Sequence, residues 1–204
     1  MVSSYLVLAG RADAQIEVRR SRFRCRLERV STEEAARAVV ERARKEHWDA
    51  RHHCSAFLIG PAGELARSSD DGEPSGTAGA PMLEVLRGAG VSDVVAVVSR
   101  WFGGVLLGTG GLARAYGDAV RAAVGDADLL ERRLFRLWEV TVPHADAGRL
   151  ENDLRSRGVQ VRGVSYAADA TLTLAVESEI TGLLAELTGG SAAAREVGED
   201  WVDV

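Results

Sequence analysis

At 204 residues the chain can bury a proper core, as one large domain or two small ones, without disulfide or metal staples. Its net charge of −5 is unevenly placed, with 19 Arg and Lys against 18 Asp and Glu up to Arg133 (net +1) and 6 against 12 from Leu134 onward (net −6), so the acidic surplus lies in the second part. The two cysteines, Cys25 and Cys54, sit in apolar alternating strings outside any CxxC, which argues against a disulfide framework. The apolar patch at Tyr5 to Ala9 lacks a charged lead-in and there is no apolar run of about twenty residues, so a cytoplasmic protein without a membrane partner is expected.

In chain order, the first signal is a hairpin between Gln15 and Val30: a short strand at Ala14 to Val18, a turn near Arg19, and a longer strand. In the longer strand Ser21, Phe23, Cys25 and Leu27 alternate with Arg20, Arg22, Arg24 and Arg26, the period-two pattern of a half-buried strand that puts the arginines on one solvent face. Ser31-Thr32-Glu33-Glu34 reads as a capping box with Ser31 as N-cap. It opens a helix to about Glu46, with Ala35, Val39 and Ala43 at helical spacing. Cys54 to Ile59, closed by Gly60-Pro61, reads as a strand, and Ser68 to Pro81 as an acidic, glycine-rich loop.

Pro81 suits the first turn of a helix whose apolar face is Met82, Val85 and Leu86 and which Gly88 and Gly90 stop. The β-branched run Val94 to Val98 predicts a strand buried on both faces. A second glycine-rich loop, Trp101 to Gly111, leads into a helix from Leu112 to Val124. That helix is predicted to bury Leu112, Ala115, Tyr116, Ala119 and Ala123 and to pair Arg114 with Asp118. After a polar linker the order strand, helix, strand, strand, helix, strand from Phe135 to Val204 predicts a ferredoxin-like βαββαβ domain. The expected division is 1–130 and 134–204, and the expected fold class is α/β of the α+β kind.

The motifs are weak when taken singly. Gly108-Thr109-Gly110-Gly111-Leu112-Ala113 fits the G-x-G-x-x-A fingerprint, but nine residues separate Gly108 from the preceding strand, and the expected ribose-binding acid would fall in the linker near Asp128. An anion at the N–H groups of the helix start and glycines placed only for backbone reasons both remain open. No P-loop lysine or GxSxG elbow is present, so Ser75 and Thr77 lack the setting of a nucleophile. Asp70, Asp71 and Glu73 suit either a magnesium ion or, as acids in a glycine-rich turn more often do, backbone capping and arginine pairing. His52-His53-Cys54 is too compact for a zinc site on its own. The arginine face of the hairpin could follow a phosphate backbone or be a solvated face paired with Glu17 and Glu28. Its weight is lowered because all basic residues but Lys45 are arginine, the mark of codon bias.

Longer strings identify a family. RSSDDGEPSGTAGAPMLEVL at Arg67 to Leu86 and SRWFGGVLLGTGGLARAYGDAV at Ser99 to Val120 closely resemble the IMPACT/YigZ family. SRFRCRLERVSTEEAARAVVERARKEHWDARHHCSAFLIG fits as well, and the tail is similar to the bacterial members' second domain, whose fold resembles a domain of elongation factor G. The resemblance implies that the first domain folds like the second domain of small-subunit ribosomal protein five. It also implies a translation-linked role: eukaryotic relatives restrain a starvation kinase pathway by binding the kinase's activator, and for bacterial members nucleic-acid or ribosome binding is inferred from fold. Asp70, Asp71, Glu73, Ser75, Gly76, Thr77, Gly79, Arg100, Gly103, Gly104, Gly108, Gly110, Gly111, Arg114 and Tyr116 match the family pattern. Ala80 and Leu106 depart from it where members carry basic residues, which weakens a phosphate-binding reading.

The resulting expectation is a non-catalytic binding protein, with no catalytic, cofactor-binding or metal-ligating residue assigned. Its binding surface comprises Asp70, Asp71, Glu73, Ser75, Thr77, Arg100, Gly103, Gly104, Gly108, Gly110, Gly111 and Arg114, with Arg20, Arg22, Arg24 and Arg26 as an RNA-contacting face. Its partner would be RNA, the ribosome or a translation-pathway protein. The alternatives are a pure protein-interaction module and a magnesium-dependent enzyme in which Arg100, Arg114 and the glycine loop hold a phosphorylated substrate. Arg100 and Arg114 are also the expected ionic partners of the acidic loop.

Overall fold

A computed structural model describes residues 2–204 and divides after Glu131 into two compact units. In unit 1 the strands β2 (Ala12–Val18), β3 (Ser21–Arg29), β4 (His52–Ile59), β5 (Leu65–Ser69) and β6 (Val94–Trp101) form one antiparallel sheet in the order β2-β3-β6-β4-β5. Central β6 explains its own unbroken apolar sequence. Val94, Ala96 and Val98 pack with α2 (Gly79–Gly88) and α3 (Gly108–Gly125), while Val95 and Val97 pack with α1 (Glu33–Glu46). The α2/α3 side holds the larger core, where Phe23 meets Tyr116 edge-on at 5.1 Å between ring centroids. Strand β1 (Ser4–Leu8) lies beside the end of α2, through a parallel bridge from Leu6 to Val91 and the Tyr5 hydroxyl donating to Asp93 at 2.7 Å.

Local details differ from the sequence reading. The N-cap of α1 is Thr32 rather than Ser31: the Thr32 hydroxyl accepts from the Ala35 N–H at 3.1 Å, and the acids Glu33 and Glu34 fill the first turn. Helix α3 begins at Gly108, so Gly108, Gly110 and Gly111 are its first turn and not part of a loop. Asp118 pairs with Arg121 one turn on rather than with Arg114. Strands β1 and β5 were not anticipated.

Unit 2 contains β7 (Leu129–Val142, beginning just ahead of the boundary), α4 (His144–Ser156), β8 (Gln160–Tyr166), β9 (Ala170–Val176), α5 (Thr181–Thr188) and β10 (Ala193–Asp203). The antiparallel order β10-β7-β9-β8 is the ferredoxin-like arrangement predicted from βαββαβ. Trp138, Val140, Leu172 and Leu174 of the sheet pack against Leu150 and Leu154 of α4 and Leu184 of α5. Gly189, with φ +60°, closes α5 in the left-handed conformation that glycine adopts without a Cβ penalty. Among the described residues no helix is long and apolar enough to cross a membrane.

Candidate functional site

The acidic loop, residues 68–81, is built around three carboxylates that each do a different job. Asp70 replaces the side-chain cap that α2 lacks: one oxygen accepts from the N–H groups of Ala78 and Gly79 at 3.0 and 2.8 Å, and the other from Gly76 at 2.8 Å. Burial works to raise its pKa, but these donors together outweigh it and hold the carboxyl below the ordinary aspartate value. Asp71 adopts φ +43°, a strained region for a non-glycine residue, and ties three elements together. It accepts from Arg44 of α1 at 2.6 Å and from the His53 N–H at 2.6 Å, and its carbonyl lies 2.8 Å from His52 Nδ1.

Glu73 is 9% exposed, and its Oε1 receives both Arg100 Nη1 at 2.5 Å and the Tyr116 hydroxyl at 2.7 Å. Arg100 is 6% exposed, and its guanidinium carbon lies 5.4 Å from the ring centroid of Phe23 and 5.7 Å from that of Phe102. The acidic loop is therefore latched to β6 and α3 by a buried ion pair and a tyrosine. The neighbouring Cys54 thiol donates to the Asp70 carbonyl at 3.0 Å and is pushed up to about 12 by burial, leaving it a protonated core residue. His53 Nδ1 lies 2.9 Å from the Ser99 hydroxyl in the sheet; burial, with Arg44 and the other histidines, holds its pKa below the ordinary value. Thr77 turns its hydroxyl back onto the Pro74 carbonyl at 2.6 Å, and Ser75 is exposed in the loop.

The second loop, residues 102–107, sits against the tip of the β2–β3 hairpin. A Cβ on Gly103 would lie 2.0 Å from the Arg20 carbonyl carbon, so glycine is required for this approach, and the Gly103 N–H donates to the Ser21 hydroxyl at 3.1 Å. The loop leaves Phe102, Val105 and Leu106 exposed at 41%, 39% and 81%. It lies beside a two-residue turn in which Arg19 and Arg20 both take positive φ (+47° and +68°), the geometry of a type I′ hairpin normally given to Asn-Gly.

Both loops line one cleft of about 380 Å³. Glu73 and Pro74 come from the first, Phe102, Leu106 and Leu107 from the second, Gly108, Thr109 and Leu112 from the start of α3, and Arg51, His52 and Arg100 from β4, its approach and β6. Of the residues expected to form one surface, Glu73, Arg100 and Gly108 meet here. Asp70 and Asp71 are consumed in holding the loop.

Two expectations are corrected. Arg114 does not join the acids: it lines a separate groove between α2 and α3, together with Glu84 and Arg121. The four hairpin arginines do not share a solvent face. Arg20 belongs to the turn, Arg24 lies 3.7 Å from Asp13, and Arg26 is 4% exposed and ion-paired to Glu46 at the end of α1. Arg22 stays exposed, its guanidinium carbon 4.8 Å from the ring centroid of Trp101 on the adjacent strand. Sequence reasoning missed Arg51 and His52 as cleft residues and Arg44 as a latch; the string RHHC gave no cue beyond its position before β4. Among the described residues no group of three or more His, Cys, Asp or Glu is gathered to hold a metal ion.

Comparison with known proteins places these features in context. Residues 19–124 match the Impact N-terminal domain and residues 140–191 match a domain of unknown function (DUF1949). The IMPACT family member YvyE of Bacillus subtilis is 38% identical over 200 residues, covering 96% of this chain and 92% of its own. The IMPACT family member YigZ of Escherichia coli is 48% identical over 143 residues, 69% of each chain. A solved structure described as a crystal structure of an hypothetical protein superposes with a TM-score of 0.67 at 35% identity, covering 97% of this chain and 98% of that one.

Proposed function

The chain belongs to the IMPACT family, and from that premise we propose that it is a cytoplasmic, non-catalytic, translation-linked regulatory protein that acts by binding. Its partner is a protein of the translation pathway, docked on the edge formed by residues 102–106 and the hairpin tip. The observation that carries this reading is the contrast between the two loops. The acidic loop spends its carboxylates on internal bonds, while the neighbouring loop leaves Phe102, Val105 and Leu106 in solvent beside Arg19, Arg20 and Arg22. Exposed aromatic and aliphatic side chains rimmed by arginine have the composition of a protein-docking patch.

An RNA partner has less support, because Arg26 is buried against Glu46, Arg20 belongs to the hairpin turn and Arg24 has Asp13 beside it, which breaks up the expected row of four. Stacking of Arg22 on Trp101 is what keeps it in view. A magnesium-dependent enzyme has less support again, since Asp70, Asp71 and Glu73 each face a different internal partner. Capture of binding partners with the full chain, before and after nuclease treatment and across a salt series, tests the proposal. A translation-pathway protein retained after nuclease supports it. An interaction abolished by nuclease and falling steeply with salt would replace it with the RNA reading.

A further inference from the structure

We propose that a second cleft, on the α1 side of the unit 1 sheet, is a binding site for a small phosphate monoester. The inference does not depend on the docking edge, none of whose residues lines this cleft. The cleft, of about 440 Å³, runs between α1 and the β4–β5 pair. Its floor follows from strand alternation. Cys54 and Ala56 of β4 pack into the α2/α3 core, so Ser55 and Phe57 face α1, and their partners across the ladder on β5 are Ser69 and Arg67. Ser55 is 8% exposed and its hydroxyl makes no hydrogen bond within the protein, yet the oxygen is not sealed from solvent and opens onto the cleft. A buried hydroxyl left unbonded is costly, and a ligand oxygen would complete it. Ser69, beside it, accepts from the Asp71 N–H at 3.4 Å and keeps its own O–H to donate.

The second observation is the set of cations around that hydroxyl. Arg67 is exposed and, among the described residues, meets no carboxylate: its Nη1 donates to the Ala66 carbonyl at 3.1 Å. From α1, Arg37 and Arg44 flank the cleft and are held from outside it, Arg37 by Glu33 at 2.5 Å and Arg44 by Asp71 at 2.6 Å. Each guanidinium has five N–H groups, so these pairs leave donors for a ligand. The Asp71 carboxylate is itself occupied, its other oxygen accepting from the His53 N–H. Glu41, the acid of the lining, is exposed and 3.6 Å from Arg44, a surface pair that yields at little cost.

Geometry and charge decide between anions. Donors come from three directions: Ser55 from the floor, Arg67 and Ser69 from β5, and the arginines of α1 from the opposite wall. Three terminal oxygens of a tetrahedral phosphate meet that arrangement, whereas a planar carboxylate has two. Three arginines against Glu41 in the lining suit a group carrying about −1.5 to −2. Phe57 and Val40 give the ester substituent an apolar wall, and the volume lies within the range of about 300–1,000 Å³ typical of small-molecule pockets.

The test is calorimetric titration of the full chain with phenyl phosphate, against benzoate, inorganic phosphate and the diester methyl phenyl phosphate. Phenyl phosphate should saturate below about 10 mM and bind more tightly than the other three. Ser55→Ala should weaken it about fivefold or more, the loss of a hydrogen bond to a charged group, while Tm stays unchanged or rises because an unbonded buried hydroxyl is removed. Arg67→Gln should weaken it to a similar extent without altering Tm, since the side chain is exposed and unpaired. These results together support the site. No saturation by phenyl phosphate, benzoate or inorganic phosphate bound as tightly, or binding unaltered in both variants would overturn it. So would a fall in Tm for Ser55→Ala, which would show the hydroxyl bonded within the protein. A diester bound as tightly as the monoester would overturn it in favour of a nucleic-acid backbone.

Discussion

Replacing Arg100 by alanine isolates the latch of the acidic loop. The side chain is 7% exposed and its Glu73 partner 4%, so the pair is shielded on both sides, and the Tyr116 hydroxyl is the other hydrogen bond to the same carboxylate oxygen. Arg100→Ala therefore strands a buried carboxylate with one donor, a change that costs about 3–5 kcal/mol where the partner cannot relax into water. Removing the guanidinium from between Phe23 and Phe102 adds a smaller packing loss. For a domain of this size each kcal/mol lowers Tm by roughly 3–5 °C, so a fall of roughly 10–20 °C is expected. Urea unfolding with the Arg100→Ala and Arg100→Met/Glu73→Gln variants measures it, and the second variant should regain a good part of the loss because no charge is left unpaired. A cost for Arg100→Ala below about 1 kcal/mol, the range of exposed pairs, would refute the buried latch.

Gly103→Ala should destabilise unit 1 by about 1–3 kcal/mol or displace residues 102–106, because its Cβ would sit 2.1 Å from the Arg20 carbonyl oxygen; thermal denaturation and hydrogen exchange of the hairpin tip report either outcome. Asp70→Ala should cost about 1–2 kcal/mol through the lost cap of α2. Because the folded-state pKa of Asp70 lies below its unfolded value of about 3.9, its contribution is complete above that value and is lost as pH falls through the folded pKa, so the variant should show a shallower acid limb in a pH series of urea midpoints. His53 is likewise depressed, mainly by burial. Its share of stability is complete above about pH 6.5 and drains away as pH falls toward its folded value, which a His53→Gln variant should not show.

Much of this architecture is written in short-range pattern. The unbroken β-branched run of β6 announced burial on two faces, and helical spacing in α3 named its buried face correctly. The βαββαβ order fixed the fold of unit 2 because each element there carries its own turn signal, such as Gly158 and Gly189. Strand β5 escaped notice because it is an edge strand paired only with β4, and LARSS has almost no apolar periodicity.

The site was less legible, for tertiary reasons. Arg26 alternates in sequence with Arg22 and Arg24, yet α1 ends over that part of the sheet and supplies Glu46, so one arginine of the row is buried while its neighbours are not. The acids of residues 70–73 resemble a metal loop when read alone. What decides their role is Arg44, Arg100 and Tyr116, which come from three distant elements. Arg114 flanks the second glycine-rich loop in the sequence, which suggests a pairing with the acids, but its position on α3 turns it to the groove with α2 instead.

The central claim, that residues 102–106 are a docking edge for a translation-pathway protein, is tested most directly by placing a photo-crosslinking residue at Leu106, which is 81% exposed, and a control at exposed Arg37 on α1. Irradiation in growing cells should join the Leu106 variant to a discrete translation-pathway protein, with the Arg37 control giving no such adduct. Phe102→Ser in the same chain should abolish the adduct while lowering stability by no more than about 1 kcal/mol, the loss of its contact with the Arg100 guanidinium. Identical adducts at both positions, or an adduct that persists in the Phe102→Ser chain, would contradict the account.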